Sequence, residues 1–159
     1  MNVWSEKNHV VNGLVPVADR WNADPQTIVN MKDYRRCVFL VMTGASVDNI
    51  NIVTIQAGIS VGSCATEIVF KYRKIITGDT MTALTDAVAG TGVAFTVTSA
   101  NQYIIVEVDA QVVAAAGTDY CCVGCTVTEA GTKAAAPGCV IPILSEPRYA
   151  QALLGTAIL

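Results

Sequence analysis

Three of the six cysteines lie within five residues, in the stretch TDYCCVGCTVTEAG, and thiols at this spacing are able to bind a metal or form a disulfide. A zinc knuckle needs a tight turn that brings two thiolates to one side of the metal, together with a second pair of ligands. The pattern here is that of an alternating strand, which points Cys122 and Cys125 to opposite faces. A bond between the adjacent Cys121 and Cys122 would be strained.

We therefore interpret this stretch as a core strand whose small thiols pack like valine or alanine, with a metal site and a disulfide as the alternatives. The alternation places four residues on one buried face: Cys121, Val123, Cys125 and Val127. This interpretation predicts neither zinc nor a bond between Cys122 and Cys125, and we expect no cofactor. The remaining cysteines lie in or beside strand-like runs and are interpreted in the same way: Cys37, Cys64 and Cys139.

No pattern in the chain favours catalysis. The only histidine, His9, lies in the weakly patterned N-terminal segment, a poor place for the base that a nucleophilic cysteine or serine needs. Glu107 and Asp109 share a face of one predicted strand, which we interpret as a solvated face rather than a catalytic pair or a Ca²⁺ site. The stretch GTGVAF lacks the lysine and the following helix of a phosphate-binding loop. We therefore expect that the protein is not an enzyme.

The composition predicts a protein that buries surface against another chain. Apolar residues make up 52% of the 159 residues and charged residues only 14%, against roughly 25% charged in an ordinary soluble domain. The net charge of −3 excludes a bulk electrostatic attraction to nucleic acid. No run reaches the roughly 18 apolar residues of a membrane span, and the N-terminus lacks a signal-peptide pattern. We expect a protein kept in a cytosol, where thiols stay reduced.

Between Ile28 and Ile143 the apolar residues come in short runs separated by turn residues, which is typical of strands. CVFLVMTG (37–44) is apolar on both faces, as in a strand that is buried on both sides. VAFTVTSANQYIIVEVDA (93–110) predicts a hairpin in which Ile104, Val106 and Val108 share one face. Four further runs predict strands: NINIVTIQAG, TEIVFKYRKI, DYCCVGCTVTEAG and CVIPILSEP.

Two segments are candidate helices, GDTMTALTDAVAG (78–90) and PRYAQALLGTAIL (147–159). The predicted fold class is therefore all-β: a single β-sandwich or jelly-roll-like domain with at most one or two short helices. Residues 1–27 are expected to form an extended N-terminal arm that adds a strand or two at the sheet edge. Residues 28–149 form the sandwich, and residues 150–159 an apolar tail that docks on its own domain or on a neighbour.

Six of the ten basic residues fall in two clusters, KDYRR (32–36) and KYRK (71–74). We interpret them as solvated strand ends or as a contact patch for an acidic protein surface, with nucleic acid as a third possibility. Each cluster contains a tyrosine, and arginine and tyrosine are common anchors in protein interfaces. These features favour assembly over catalysis.

Five motifs, in their order and spacing, resemble small virion proteins of tailed bacteriophages, the head decoration or cement proteins: NMKDYRRCVFLVMTG, EIVFKYRKI, NQYIIVEVDA, DYCCVGCTVTEAG and ILSEPRY. The resemblance extends from about Val10 to Tyr149. It departs from the family in the cysteine-rich strand, where arginine and aliphatic residues are more usual. The resemblance implies a compact β domain on the outer surface of a virion capsid, made in the bacterial host cytoplasm. Its partners would be the major capsid protein and further copies of itself, a trimer being favoured over a dimer, without membrane or direct nucleic-acid contact.

On this basis we expect inter-subunit contacts from the arm (Val10, Leu14, Val15, Trp21) and from the tail (Leu153, Leu154, Ile158, Leu159). We expect capsid contacts from Arg35, Arg36, Tyr72 and Arg73, with Arg148 and Tyr149 as a third candidate contact of the same composition. The alternative for Trp21 and the leucines is that they cap the domain's own core. Two other functions stay open: a tail-tube or head–tail joining protein, and a carbohydrate-binding jelly-roll module.

Overall fold

The computed structural model describes residues 3–44, 49–97, 101–130 and 135–148. In these ranges the chain consists mostly of antiparallel strands with two short helices, so the predicted all-β sandwich is confirmed. The tail at 150–159, and with it the candidate helix beyond Arg148, lies outside the described residues. In chain order the elements are α1 (Trp4–Lys7), β1 (Asn8–Val10), β2 (Leu14–Val17), β3 (Gln26–Asn30), β4 (Tyr34–Thr43), β5 (Asn49–Ser60), β6 (Ser63–Glu67), β7 (Phe70–Thr77), β8 (Thr80–Met81), β9 (Thr85–Ala87), β10 (Val93–Val97), β11 (Gln102–Asp109), α2 (Ala110–Ala115), β12 (Cys122–Ala130) and β13 (Gly138–Pro147).

The strands form two sheets. The larger, sheet A, has the order β1-β13-β4-β11-β7-β8, with β2 also paired to β13 and β9 also paired to β7. The smaller, sheet B, has the order β10-β5-β12-β3, with β6 paired to β5. Every pairing is antiparallel.

The core follows the alternation of side chains along the strands of both sheets. Alternate residues of the central strands are buried: Cys37, Phe39 and Val41 in β4, Ile104, Val106 and Val108 in β11, Val53, Ile55 and Ala57 in β5, and Val123, Cys125 and Val127 in β12. These residues belong to one cluster, so the inner faces of sheets A and B share a single hydrophobic core. We call the opposite sides of the two sheets their outer faces.

The N-terminal arm adds β1 and β2 to the edge of sheet A, both against β13. Val10 pairs with Ile143 and Leu14 with Val140, so Pro142 lies opposite the gap between the two short strands. The Val11 N–H donates to the Pro142 carbonyl (2.9 Å) in this gap. Because proline has no N–H of its own, a position beside a break in the pairing removes no hydrogen bond from the sheet.

Three local predictions are wrong. The run TEIVFKYRKI (66–75), predicted as one strand, contains the end of β6 in sheet B and most of β7 in sheet A. The segment 93–110 is not a hairpin, because β10 pairs with β5 in sheet B whereas β11 pairs with β4 and β7 in sheet A. The segment 78–90 is not a helix, because β8 and β9 instead pair with β7. The helical spacing of Met81, Leu84 and Val88 suggested a buried stripe, but all three side chains are exposed. A helix at this position would therefore gain no stability from packing.

The structure also corrects the interpretation of β4 as a strand buried on both sides. Cys37, Phe39 and Val41 point into the core, whereas Val38 and Leu40 are half-buried on the outer face. Within a single chain, only one of the two apolar faces of this strand is a core face.

Candidate contact surfaces

The outer face of sheet A is apolar across five strands. The paired residues on it form three rows: Met42, Tyr103 and Ile75; then Ile141, Leu40, Ile105 and Arg73; then Val10, Ile143, Val38, Glu107 and Lys71. We call the nine uncharged residues of these rows the apolar outer face, and the charged residues Arg73, Glu107 and Lys71 form part of its rim. Most of its side chains are half-buried, and Val10 at the β1 edge is 51% exposed. A sheet normally presents polar side chains on the face that lies opposite its core.

The backbone footprint of the three rows gives the scale of the apolar outer face. Four strand spacings separate β1 from β7, and four residues separate Val38 from Met42 in β4. The footprint is therefore about 19 Å by 14 Å, or about 270 Å², before the side chains spread beyond their backbone positions. This is close to the size of the largest apolar patch on an ordinary monomer, and that patch is often functional.

Charged residues border the apolar outer face on the side of β7 and at one end. The Arg36 Nη1 lies 3.6 Å from the Glu146 Oε1 and 4.0 Å from the Glu107 Oε2. The Lys71 Nζ lies 2.5 Å from the Asp86 Oδ1. An apolar centre within a charged rim is the usual composition of a protein–protein interface.

The outer face of sheet B is polar at its centre, although Ile28 and Ile52 also lie on it. Gln26, Thr126 and Thr54 form one of its rows, and Ile28, Gly124 and Gln56 form the next. The Gln26 Nε2 donates to the Gln56 Oε1, and the Thr126 Oγ1 donates to the same oxygen at 3.2 Å. Amide and hydroxyl groups on this face bond to one another and remain compatible with water.

The arm residues predicted to make contacts separate into surface and core. Val10 and Val15 are exposed (51% and 54%), and Leu14 is partly buried against the core. Trp21 is fully buried, and its Nε1 donates to the Thr43 Oγ1 at 3.3 Å. Gly138 lies directly against the indole, since a Cβ there would be 2.0 Å from Cζ2. The placement of Trp21 is that of the alternative, a residue of the domain's own core.

The basic residues predicted to contact a capsid do not form one patch. Arg36 and Arg73 lie on the outer face of sheet A, at the rim of the apolar outer face. Tyr72 alternates to the inner side of β7 and packs against the core. Arg35 and Arg148 are exposed and line a separate depression beside α2. Tyr149 and the four tail residues Leu153, Leu154, Ile158 and Leu159 lie outside the described residues.

The thiols occupy two environments, and all six cysteines are free. Cys37 and Cys125 lie in the core, where burial raises the pKa of both thiols well above the ordinary value of 9.0. Cys121 precedes β12 and is only half-buried, so the prediction that it is buried beside Cys125 is wrong. The Cys121 and Cys122 sulfurs lie 3.8 Å apart. Burial raises the pKa of Cys64 to about 11 and that of Cys122 to about 12, which keeps these thiols protonated at neutral pH.

The candidate catalytic groups lie apart from one another. The His9 Nδ1 is 2.9 Å from the Tyr34 hydroxyl, within the arm edge of sheet A. Glu107 faces Arg36, and the Asp109 carboxylate accepts from the Gln111 N–H (2.8 Å) as the N-cap of α2. In the described ranges, no group of three His, Cys, Asp or Glu side chains is placed to hold a metal ion. No helix among those residues is long and apolar enough to span a membrane.

Sequence reasoning did not identify the apolar outer face as a surface, although the signal is present. Val38, Leu40 and Met42 alternate with the core residues of β4, and Ile141 and Ile143 do the same in β13. Apolar residues on both faces of a strand indicate that both faces are covered, and only the fold shows that one chain covers only one of them.

Comparison with known proteins yields no relative: no protein-family model, no curated protein and no solved structure matches this chain.

Proposed function

We propose that this protein is a structural virion protein, a decoration or cement protein that binds the major capsid protein on the outside of a tailed-bacteriophage head. The observation that carries the proposal is the apolar outer face of sheet A with its charged rim. A surface of this kind suits a protein whose function is to bind other protein subunits. The resemblance of its motifs to decoration proteins supplies the kind of partner.

Two surfaces divide the contacts in this proposal. The apolar outer face and the exposed arm residues Val10 and Val15 pack against neighbouring copies in a homo-oligomer, with a trimer favoured over a dimer. Arg35 and Arg148, exposed beside α2, bind acidic groups of the capsid surface. Trp21 and Tyr72 take no part, because both pack against the core of their own chain.

Stabilisation of the head would then be mechanical and additive. Each bound oligomer adds modest contacts, and its several subunits hold neighbouring capsid proteins at once, so that release of one contact leaves the others in place. No bond is made or broken, in keeping with an interaction surface that consists of packed side chains rather than reactive groups.

The face favours a protein partner over a sugar. Carbohydrate platforms stack several exposed aromatic rings, whereas among the described residues of the apolar outer face the one aromatic is Tyr103. Aliphatic side chains dominate the face instead, and these pack against other aliphatic groups.

The direct test is rebinding. Purified protein is added to heads stripped of it, and bound protein and the rupture temperature of the heads are measured. We expect saturable binding and a higher rupture temperature. Ile105→Glu, in the centre of the apolar outer face, should abolish both effects, and the matched control Gln56→Glu, on the outer face of sheet B, should retain them.

Failure of the wild-type protein to bind any capsid would overturn the proposed function. A ring-shaped purified oligomer that joins tails to heads would instead assign the protein to a tail-tube or head–tail joining role.

A further inference from the structure

The exposed apolar side chains gather at two opposite edges of sheet A. In the part of the chain that the structure describes, ten large apolar side chains are exposed. Five belong to the N-terminal arm and form what we call the arm patch: Val3, Trp4, Val10, Val15 and Val17. Four lie at the other edge, around β8, β9 and the start of β7, and form the β9 patch: Val69, Met81, Leu84 and Val88. The tenth, Ile59, lies in β5 of sheet B.

The largest features of the two patches lie at the same level of the sheet. The Asn8 Nδ2 donates to the Trp4 carbonyl at 2.9 Å, and Asn8 pairs with Ser145 of β13. This row continues through Arg36 of β4 to Asp109 of β11. Asp109 lines an apolar groove of about 590 Å³ in the β9 patch. Trp4, the largest side chain of the arm patch and 58% exposed, therefore lies at the level of this groove.

The other ends of the two patches also match. Val17 in the arm patch pairs with Gly138 of β13. Met81 in the β9 patch belongs to the adjacent row, which crosses the sheet through Cys139, Met42, Tyr103 and Ile75. Adjacent rows are only about 3.4 Å apart. One edge can therefore meet the other without a shift along the strand direction.

The groove suits a large apolar side chain. Phe70, Ala87 and Val108 are buried in its wall, whereas Val69 and Val88 are exposed at its lip. Its volume is within the roughly 300–1,000 Å³ of sites that bury most of a ligand. Tryptophan is one of the residues that most often anchor a protein interface from within such a pocket.

The charges beside the groove and beside Trp4 are complementary. Two basic and three acidic side chains line the groove, a net charge of −1: Arg36, Lys71, Asp86, Glu107 and Asp109. Lys7 follows Trp4 by three residues, so the two side chains share one side of α1, and both are exposed. An incoming Lys7 meets the excess of negative charge, and the Arg36 guanidinium is available to the face of the indole.

We propose that copies of this protein associate edge to edge, the arm patch of one against the β9 patch of the next, with Trp4 in the groove of its neighbour. The two patches differ, so the contact is heterologous and closes a ring when it repeats about an axis. An axis parallel to the strands keeps every residue at its level, which is the match between the two edges. The inference rests on the self-association that the proposed function includes, and it adds which surfaces meet.

A ring of three copies also covers the apolar outer face. Three sheets that meet at their edges enclose the axis, and their outer faces turn toward it. Four to five strand spacings make each side of this triangle about 19 to 24 Å long, which places each sheet about 5 to 7 Å from the axis. This is near half of the roughly 10 Å between packed sheets, so the side chains of the three faces meet. Val10 belongs to the arm patch and to the apolar outer face, and it joins the two contacts.

The first test follows the two tryptophans during association. The chain contains Trp4 and Trp21, and Trp21 is buried in the core of its own chain. Fluorine-labelled tryptophan gives one NMR signal for each, and Trp4→Ala assigns them. When associated wild-type protein is diluted to the monomer, we expect the Trp4 signal to move and the Trp21 signal to stay. A Trp4 signal that ignores association, or a wild type that is monomeric at every concentration, would overturn the inference.

Two substitutions weaken the contact from its two sides. Trp4→Ala and Val88→Lys should each raise the dissociation constant of self-association about 30-fold or more, as loss of a central anchor does. Sedimentation velocity over a range of concentrations measures the change. The matched controls, Ile59→Ala and Ile59→Lys, alter a side chain of β5 that is 56% exposed, and they should associate like the wild type. Association of Trp4→Ala at wild-type strength would contradict the docking.

A mixture of variants shows that Trp4 and the groove come from different copies. Labelled Val88→Lys protein, whose Trp4 is intact, is mixed with an excess of unlabelled Trp4→Ala protein, whose groove is intact. The labelled Trp4 signal should move to its associated position, because it enters the groove of the other chain. If the signal stays at the position of the monomer, the heterologous contact is wrong.

Head binding and the Trp4 signal separate this inference from the proposed function. Protein that binds heads, yet associates without moving the Trp4 signal, retains the proposed function and loses the edge-to-edge contact. Protein whose Trp4 signal moves on association, yet which binds no head, retains the contact and loses the proposed function.

Discussion

The outer faces of the two sheets are built from the same alternation and differ in chemistry. On sheet A the row across the centre is Ile141, Leu40 and Ile105. On sheet B the corresponding row, Gln26, Thr126 and Thr54, is polar and bonded to Gln56. Both rows lie opposite a shared core, so the core does not explain the difference.

Under the proposed function, this difference indicates that a partner would cover sheet A rather than sheet B. At the centre of sheet B the side chains of Gln26, Gln56 and Thr126 bond to one another, so these polar groups need no partner from another chain. Sheet A exposes aliphatic groups to water, a state that each chain retains only at a cost of about 25 cal/mol for every Å². A complex in which a partner removes this surface from water is stabilised in proportion to the area that is covered.

The largest predicted effect comes from placing the same negative charge at the centre of each outer face. Leu40→Glu places a carboxylate in the middle of the apolar outer face, whereas Thr54→Glu places the same group on the outer face of sheet B. Leu40→Glu should weaken self-association about 100-fold or more, since central apolar contacts dominate interface energies. Sedimentation velocity over a range of concentrations measures the change. Equal association of the two variants would show that the faces do not differ in function.

Local patterns predicted most of the long strands and the buried side of β11 correctly, because alternation is a property of each strand alone. Ile104, Val106 and Val108 are buried together, as their spacing required. Pairing depends instead on residues far away in the sequence. Neither the alternation in 93–97 nor that in 102–109 states that these neighbouring strands join different sheets.

The surfaces were harder to predict for the same reason. In the sequence Trp21 lies in a polar segment and looks like an exposed anchor. Its burial depends on Gly138, 117 residues later in the chain, which leaves space for the indole ring. From the sequence alone, Val38 and Leu40 look like core residues. Only the position of β4 in a sheet with one open face shows that they lie outside the core. Composition predicted that apolar surface is buried against another chain, but not which strands carry that surface.

A second prediction concerns the stability of the fold, on the inner side of β13. Gly138→Ala forces a methyl group into the Trp21 ring on the inner side of sheet A. Overpacking of this kind should lower the free energy of unfolding by about 2 kcal/mol. In Gly62→Ala, the matched control, the new Cβ meets no atom within 4 Å. Urea denaturation measures both variants, and equal stability would contradict the tight packing of Trp21 against Gly138.

A third prediction concerns the thiols between the two sheets. Burial raises the pKa of Cys37 and Cys125 above the 9.0 of an exposed thiol, so above pH 9 the unfolded chain releases protons that the folded protein keeps. The free energy of unfolding is therefore undiminished by these thiols below pH 9, and it falls as the pH rises toward the pKa of each thiol in the folded protein. Each fully buried thiol should contribute about 1.4 kcal/mol of loss per pH unit.

Cys125→Ala tests the assignment. Between pH 9 and 10.5 the variant should lose stability less steeply than the wild type, by the share of one thiol, in urea titrations at each pH. Cys121→Ala is the control, because Cys121 is only half-buried outside the core. Parallel pH profiles for wild type and Cys125→Ala would contradict the placement of Cys125 between the sheets.

The smallest predicted effect concerns the charged rim of the apolar outer face. Arg36→Gln removes the ion pairs with Glu107 and Glu146, which are partly exposed, so the free energy of unfolding should change by less than about 1 kcal/mol. Rim charges act mainly on the rate of association, and the variant should therefore associate more slowly at low salt and like the wild type at high salt. Arg35→Gln is the control, since the neighbouring position in β4 alternates away from the apolar outer face. Stopped-flow association at two salt concentrations measures the difference. If Arg36→Gln weakened association as much as Leu40→Glu, charge rather than apolar packing would hold the subunits together.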